Sequence, residues 1–249
     1  MKIMGYLLIL LTAHTLGDFY FQTEKLAEFK ARSYKGVLLH SLEYLLVSFC
    51  VTLPIISFDM ILAATYLAVI HFFIDTFKYI IVKRKQSKTN IVFACDQIFH
   101  VLSILILAYI MYCWNFEMSR FHFVSDIFAA FGIVEEDFIR WILVLLILGK
   151  PTNILIQNLL LGNKPIEKES VKIIGATDNK AGRKIGLLER LIMLLFISMN
   201  QYVAMAFVLT AKSIARYDKI SKDEKFAEYY LLGTLLSTAS VIICKVIFL

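Results

Sequence analysis

The chain has 249 residues, of which 59% are hydrophobic and 18% are charged, and its formal net charge is +6. Soluble globular chains are closer to half apolar and a quarter charged, so this composition argues against a soluble protein. The apolar runs also lack the alternation of outer-membrane strands, and lipid accepts only structures whose backbone amides are paired. The sequence therefore predicts an all-α, polytopic helical membrane protein that has the lipid bilayer as its main partner.

Seven apolar segments are long enough to cross a hydrocarbon core as helices, which takes about 20 residues. In chain order they are 3–21, 36–56, 59–82, 91–114, 138–161, 185–210 and 227–248. The first segment continues through Phe19, Tyr20 and Phe21 without a small-x-small cleavage pattern. It is therefore predicted to be a retained span rather than a signal peptide.

The charges between the spans predict their orientation. Segments 22–35 and 83–90 are rich in lysine and arginine, whereas segment 115–137 is acidic. The positive-inside rule places the first two in the cytoplasm and the third outside, and it explains the net charge without a nucleic-acid partner. The expected organisation is a four-helix membrane bundle over 1–114, an external loop over 115–137 and a helical membrane region over 138–249.

The C-terminal region leaves two topologies open. Segments 162–184 and 211–226 are both basic, as cytoplasmic loops are, yet one apolar stretch separates them. That stretch is either a re-entrant hairpin or a full crossing, which gives six or seven transmembrane helices. The sequence Gly149-Lys150-Pro151 further predicts a kink within the span 138–161.

Ionisable side chains recur in the first four spans, where lipid tolerates them only if they are paired or hydrated. Three pairs of histidine and aspartate are each four residues apart, a spacing that places both members on one helix face. With His40, all of them lie about three to eleven residues from the predicted cytoplasmic end, which makes one layer about 12 Å thick. The pairs are His14 and Asp18, His71 and Asp75, and Asp96 and His100.

Imidazole and carboxylate groups from facing helices are the usual ligands of zinc or manganese in bundles. One such pair could satisfy itself or hold helices together, but three pairs at one depth favour a functional site. His122, the fifth histidine, is predicted to lie at the surface. The predicted metal ligands are His14, Asp18, His71, Asp75, Asp96 and His100. The predicted catalytic groups, as acid, base or orienting residue, are Asp18, His40, Asp75 and Asp96.

Two weaker features lie in the C-terminal region. Glu189 and Arg190 enter the sixth apolar stretch together, where they either pair structurally or contact a phosphate or carboxylate of a substrate. Lys212, Arg216 and Lys219 form a basic helix face, which is typical of contact with anionic lipid headgroups.

The order and spacing of several motifs resemble the domain-of-unknown-function 3307 family of bacterial membrane proteins. The resemblance covers about residues 1–112, and the C-terminal half resembles the longer members of that family. It implies a multi-pass protein of a bacterial cell membrane but no activity. The motifs are His14-x-x-x-Asp18-Phe19-x-x-Gln22, then His40, then His71-x-x-x-Asp75-x-x-Lys78, then Asp96-Gln97-x-x-His100.

Three functions remain open from the sequence. The leading hypothesis is a metal-dependent hydrolase that acts on a lipid or phosphorylated substrate. The chain distantly resembles membrane-bound metal-dependent hydrolases, by analogy of polytopic topology and His/Asp content only. The second is a proton-coupled or metal-ion transporter, because chains of histidine and aspartate relay protons in pumps. The third is a scaffold in which the polar layer only aligns the helices.

Overall fold

The computed structural model describes residues 2–55, 57–85, 90–118, 122–160 and 175–249. It is 88% helical, and the described residues contain no strand. By length and composition, six helical segments are able to cross a membrane, which confirms the all-α, polytopic membrane fold. These segments are Lys2–Phe21, Tyr34–Thr52, Phe58–Lys83, Ile91–Cys113, Glu135–Leu159 and Glu224–Phe248.

The chain divides into two compact units, residues 1–143 and residues 144–249. The first unit begins with α1, which continues as a π-helical segment, Leu16–Phe21. The segment 115–137, predicted to be an external loop, contains α6 and the first residues of α7. The helices that begin in this unit are α1 (Lys2–Thr15), α2 (Glu24–Arg32), α3 (Tyr34–Thr52), α4 (Phe58–Lys85), α5 (Asn90–Cys113), α6 (His122–Ala130) and α7 (Glu135–Leu148).

The core of the first unit is apolar over one half of its length. α1 packs against α3 and α5, and α4 packs against the same two helices. At one end the hydroxyl of Tyr6 donates a hydrogen bond to the carbonyl of Phe116 over 2.6 Å. The side chains buried in this half include Leu10, Met60, Ala63, Leu107 and Met111.

The outward faces of the spans are also apolar. Leu46, Phe73 and Ile106 are all more than half exposed, although each lies within a span. Exposed apolar area of this extent is unfavourable in water and favourable against hydrocarbon. A lipid bilayer is therefore the environment that fits these helices.

The second unit contains α8 (Lys150–Leu159), α9 (Gly175–Ser198), α10 (Tyr202–Ile214), α11 (Tyr217–Lys222) and α12 (Glu224–Phe248). The predicted span 185–210 is not one helix, because the chain reverses between α9 and α10. Asn200 adopts a φ of 57°, a left-handed conformation that asparagine accepts more readily than most residues. Lys212 of α10 then returns to within 2.7 Å of Glu189 of α9. The stretch is thus a helical hairpin, and six candidate spans remain among the described residues.

The kink predicted at Gly149-Lys150-Pro151 is confirmed. α7 ends at Leu148 and α8 begins at Lys150, with Gly149 at a φ of −77° and a ψ of −113°. Pro151 lies in the first turn of α8, where backbone N–H groups have no acceptor within the helix. Its missing N–H therefore costs α8 no hydrogen bond. Of the predicted basic segments, residues 86–89 and 162–174 lie outside the described residues.

Candidate metal centre

The seven histidines and aspartates of the predicted layer come together at one end of the first unit. They project from α1 and its π-helical segment, from α3, from α4 and from α5. Six of them are buried, and the Asp18 side chain is only 8% exposed. The layer therefore exists as a single cluster of side chains, enclosed by four helices.

Gly17 shapes the cluster from within the π-helical segment. A Cβ atom on Gly17 would lie 2.7 Å from Cδ2 of Tyr44, so only glycine allows this approach. The Tyr44 ring stacks on the His71 ring, with centroids 3.8 Å apart and planes 8° from parallel. Its hydroxyl lies 3.2 Å from Nδ1 of His14. Tyr44 therefore sets the positions of two histidines, and Gly17 gives it the room.

Replacing Gly17 by alanine should displace Tyr44 and lower the free energy of unfolding by about 1–3 kcal/mol, the usual cost of overpacking. Reversible unfolding in detergent measures this change. Gly182→Ala is the matched control, because an added Cβ there meets nothing within 4 Å. Equal stabilities of the two variants would contradict the role assigned to Gly17.

Five atoms of the cluster are buried and have no hydrogen-bond partner, and three of them lie on neighbouring residues: Oδ1 of Asp75, Oδ1 of Asp96 and Nε2 of His100. The other two are Nε2 of His14 and Nδ1 of His40. Nε2 of His100 lies 3.6 Å from Oδ1 of Asp96 and 3.9 Å from Oδ1 of Asp75. Both distances are too long for a hydrogen bond. One ligand atom from each of these residues lies within 4.8 Å of the other two, so the three are able to hold one cation.

The remaining polar atom of each of these side chains is held by a neighbour. Lys30 Nζ lies 2.7 Å from Oδ2 of Asp75. Lys78 Nζ lies 2.6 Å from Oδ2 of Asp96, to which Gln97 also donates over 3.2 Å. Nδ1 of His100 lies 3.2 Å from Nδ1 of His71. Such outer contacts orient the ligands of a metal site.

Asp18, His40 and His71 form a second group beside the first. Their ligand atoms also lie within 4.8 Å of one another. Nε2 of His40 lies 3.1 Å from Nε2 of His71 and 3.3 Å from Oδ1 of Asp18. In contrast with the first group, these atoms already have partners within the cluster.

The His14 ring lies beside the His100 ring, with the two ring centroids 5.1 Å apart. Its Nδ1 faces Tyr44, and its Nε2 is buried without a hydrogen-bond partner. One nitrogen each from His14, His71 and His100 forms a third group within 4.8 Å. His14 is therefore available as a further ligand or as a proton acceptor.

The residues that contact the cluster but were not among the predicted site residues include Lys30, Tyr44 and Lys78. Tyr44 follows His40 by four residues and Lys78 follows Asp75 by three, so helical spacing could have indicated both. Lys30 comes from α2, outside the spans, and no spacing indicates it. Burial would lower the pKa of Lys30, but Asp75 and Asp18 raise it above its usual range. Lys30 is therefore an ammonium ion at neutral pH.

Glu189 and Arg190, predicted to contact a phosphate or carboxylate, make their contacts within the second unit. Glu189 pairs with Lys212. Arg190 is 2% exposed and donates from Nε to the carbonyl of Leu148 over 2.7 Å, and from Nη2 to Oδ1 of Asn153 over 2.6 Å. It thereby binds the backbone at the break between α7 and α8.

Comparison with known proteins identifies one family model. The family described as "Protein of unknown function (DUF3307)" matches residues 6–128, which confirms the resemblance inferred from the motifs. All seven histidines and aspartates of the layer fall within the matched residues. No curated protein and no solved structure matches the chain.

Proposed function

We propose a function for this chain from the geometry of its site, because the family whose model matches residues 6–128 is described as one of unknown function. The proposed function is that of a metal-dependent hydrolase in a bacterial cell membrane, with its site towards the cytoplasmic face. Asp75, Asp96 and His100 hold one zinc or manganese ion. The substrate is a lipid headgroup or a phosphorylated compound. Anionic headgroups contact Arg216 and Lys219, which are exposed, whereas Lys212 of the predicted basic face pairs with Glu189.

The observation that carries this proposal is the set of three unpartnered atoms on Asp75, Asp96 and His100. A buried polar atom without a partner costs about 1–3 kcal/mol, and more when it is charged. One cation would satisfy all three atoms at once. Ligands about 2.1 Å from a metal are about 3.0–3.4 Å apart, so the separations of 3.6 Å and 3.9 Å need to contract only slightly.

The ligand set also suits hydrolysis. Three protein ligands leave coordination positions open for water and substrate, and the metal would make bound water more acidic and polarise a substrate oxygen. His14 is the candidate for accepting a proton, because its buried Nε2 has no hydrogen-bond partner. Lys30 and Lys78 flank the two carboxylates, and their positive charges favour an anionic substrate.

Transport is the weaker alternative. A path across the bilayer needs polar groups at several depths. Beyond the layer, the described core of the first unit is apolar, apart from hydroxyl groups such as those of Ser48 and Thr52. These two hydroxyls donate to carbonyls of their own helix. This half of the bundle therefore offers no continuous row of polar groups along which an ion or proton could cross the bilayer.

The test begins with metal content. Protein purified in mild detergent and dialysed against zinc or manganese should retain one ion per chain by elemental analysis. Asp96→Asn should abolish that retention, because an amide in place of the carboxylate lacks the charge that a divalent ion needs. Glu28→Gln is the control, since it removes a carboxylate that lies exposed on α2.

Activity and transport are then measured on the same samples. Release of phosphate from a lipid phosphate monoester and from a soluble one should depend on the metal and be lost in Asp96→Asn. Metal retention without hydrolysis, together with ion flux into proteoliposomes, would favour transport. A metal-free wild type whose Asp96→Asn variant is only less stable would favour the scaffold.

A further inference from the structure

The pocket that holds the Lys30 ammonium group is a second cation position. We propose that it accepts a second divalent ion, and that Lys30 of α2 occupies it as long as α2 is docked. Its ligands are Oδ1 of Asp18, Nε2 of His40 and Oδ2 of Asp75. This inference rests on the proposed metal position at Asp75, Asp96 and His100, which it extends to a two-metal centre.

The geometry of the pocket is that of a cation site. Lys30 Nζ lies 2.7 Å from Oδ2 of Asp75 and 3.7 Å from Oδ1 of Asp18. Nε2 of His40 lies 3.3 Å from that Asp18 oxygen and 3.6 Å from that Asp75 oxygen. His40 is completely buried, and Asp75 is 1% exposed. A positive charge and two carboxylates from different helices thus meet beside a buried imidazole.

Asp75 connects the two positions because its carboxylate oxygens face in different directions. Oδ1 is unpartnered and faces His100, while Oδ2 faces Lys30 and His40. A carboxylate that gives one oxygen to each of two ions is the usual bridge of two-metal sites, in which the ions are about 3.5–4 Å apart. Without Lys30, Oδ2 of Asp75 would be free for this purpose.

The hydrogen bonds between the imidazoles permit both ions at once. If Nδ1 of His100 donates to Nδ1 of His71, His100 keeps a lone pair on Nε2 for the first ion. His71 then carries its proton on Nε2, which lies 3.1 Å from Nε2 of His40 and 3.3 Å from Oδ2 of Asp75. Donation to Asp75 rather than to His40 leaves the His40 nitrogen open. His40 is left with a lone pair on Nε2 for the second ion if its proton is on Nδ1, which lies 3.8 Å from Glu43.

The attachment of α2 explains how Lys30 could leave. Within α2 only Leu26 and Lys30 are partly buried, and the other residues are exposed. The helix approaches α3 at Gly36, where an added Cβ would lie 2.5 Å from the backbone nitrogen of Lys30. α2 is therefore held mainly by the ion pairs of Lys30 with Asp75 and Asp18 and by one close backbone contact. Both can be removed by single substitutions.

The test counts metal ions per chain in the full-length protein with manganese or zinc. The wild type should retain one ion, and Lys30→Met should retain two. Lys30→Gln tests the same position if Lys30→Met does not fold. Gly36→Ala, which pushes α2 away from α3, should also raise the count towards two. Lys35→Met, at an exposed lysine, is the matched control and should retain one.

Two further results complete the test. Adding Asp18→Asn to Lys30→Met should return the count to one. The electron paramagnetic resonance spectrum of bound manganese should show magnetic coupling between ions only in proteins that hold two of them. A count of one in Lys30→Met, in Lys30→Gln and in Gly36→Ala would overturn the second position and leave the first intact. A count of zero in all proteins would instead reject the proposed metal site itself.

Discussion

Replacing His100 by alanine should weaken the binding of zinc or manganese by at least about 100-fold, since even residues that only orient metal ligands change affinity by about 10–100-fold. His100 supplies the nitrogen of the proposed ligand set. Its Nε2 has no hydrogen-bond partner, and its position is set through Nδ1 by His71. A calorimetric titration of metal-depleted protein with zinc measures this affinity directly.

His122→Ala is the matched control for this prediction, because His122 begins α6, a helix that contributes none of the seven residues of the layer. It should bind zinc as the wild type does. A His100→Ala protein that is folded and binds zinc with unchanged affinity would exclude His100 as a ligand. The second position beside Asp18 and His40 would then be the one to consider for any bound ion.

The second large effect is expected in stability. Arg190→Leu should lower the free energy of unfolding by about 2–6 kcal/mol, since it leaves one buried and one partly buried acceptor unpaired at about 1–3 kcal/mol each. Those acceptors are the carbonyl of Leu148 and Oδ1 of Asn153. The carbonyl belongs to the end of α7, where the helix break at Gly149 removes its helical donor. Unfolding in a denaturing detergent titration provides the measurement.

Arg183→Leu is the control on the same helix, because Arg183 is exposed, and its stability should stay within about 0.5 kcal/mol of the wild type. Arg190→Lys should recover part of the loss, since an ammonium group can donate to one acceptor but lacks the planar fork that reaches both. If Arg190→Leu is as stable as Arg183→Leu, the helix break does not depend on Arg190. Its predicted role in holding a phosphate or carboxylate would then be tested by substrate binding.

The sequence was sufficient for the class of fold and for the layer. Hydrocarbon thickness sets the length of a span, and helical periodicity sets which residues share a face, so both can be read from local spacing. His14 with Asp18, His71 with Asp75 and Asp96 with His100 follow from a four-residue interval alone. The kink at Gly149 follows in the same way, from the covalent geometry of glycine and proline.

The choice between six and seven spans needed the tertiary structure. Residues 185–210 are apolar throughout most of their length, and composition does not show a reversal of direction within such a stretch. The reversal depends on the left-handed Asn200 and on the return of Lys212 to Glu189. Contacts between residues this far apart in sequence are set by packing, which hydropathy does not record.

The internal arrangement of the site was decided only by the tertiary structure, for a related reason. Helical spacing places a side chain on a face, but the rotation of each helix and each rotamer determines which atom faces which neighbour. Thus only the folded chain distinguishes the unpartnered atoms of Asp75, Asp96 and His100 from the paired atoms of Asp18, His40 and His71. The same holds for Lys30, which reaches the layer from a helix outside the spans because Gly36 allows α2 to approach α3.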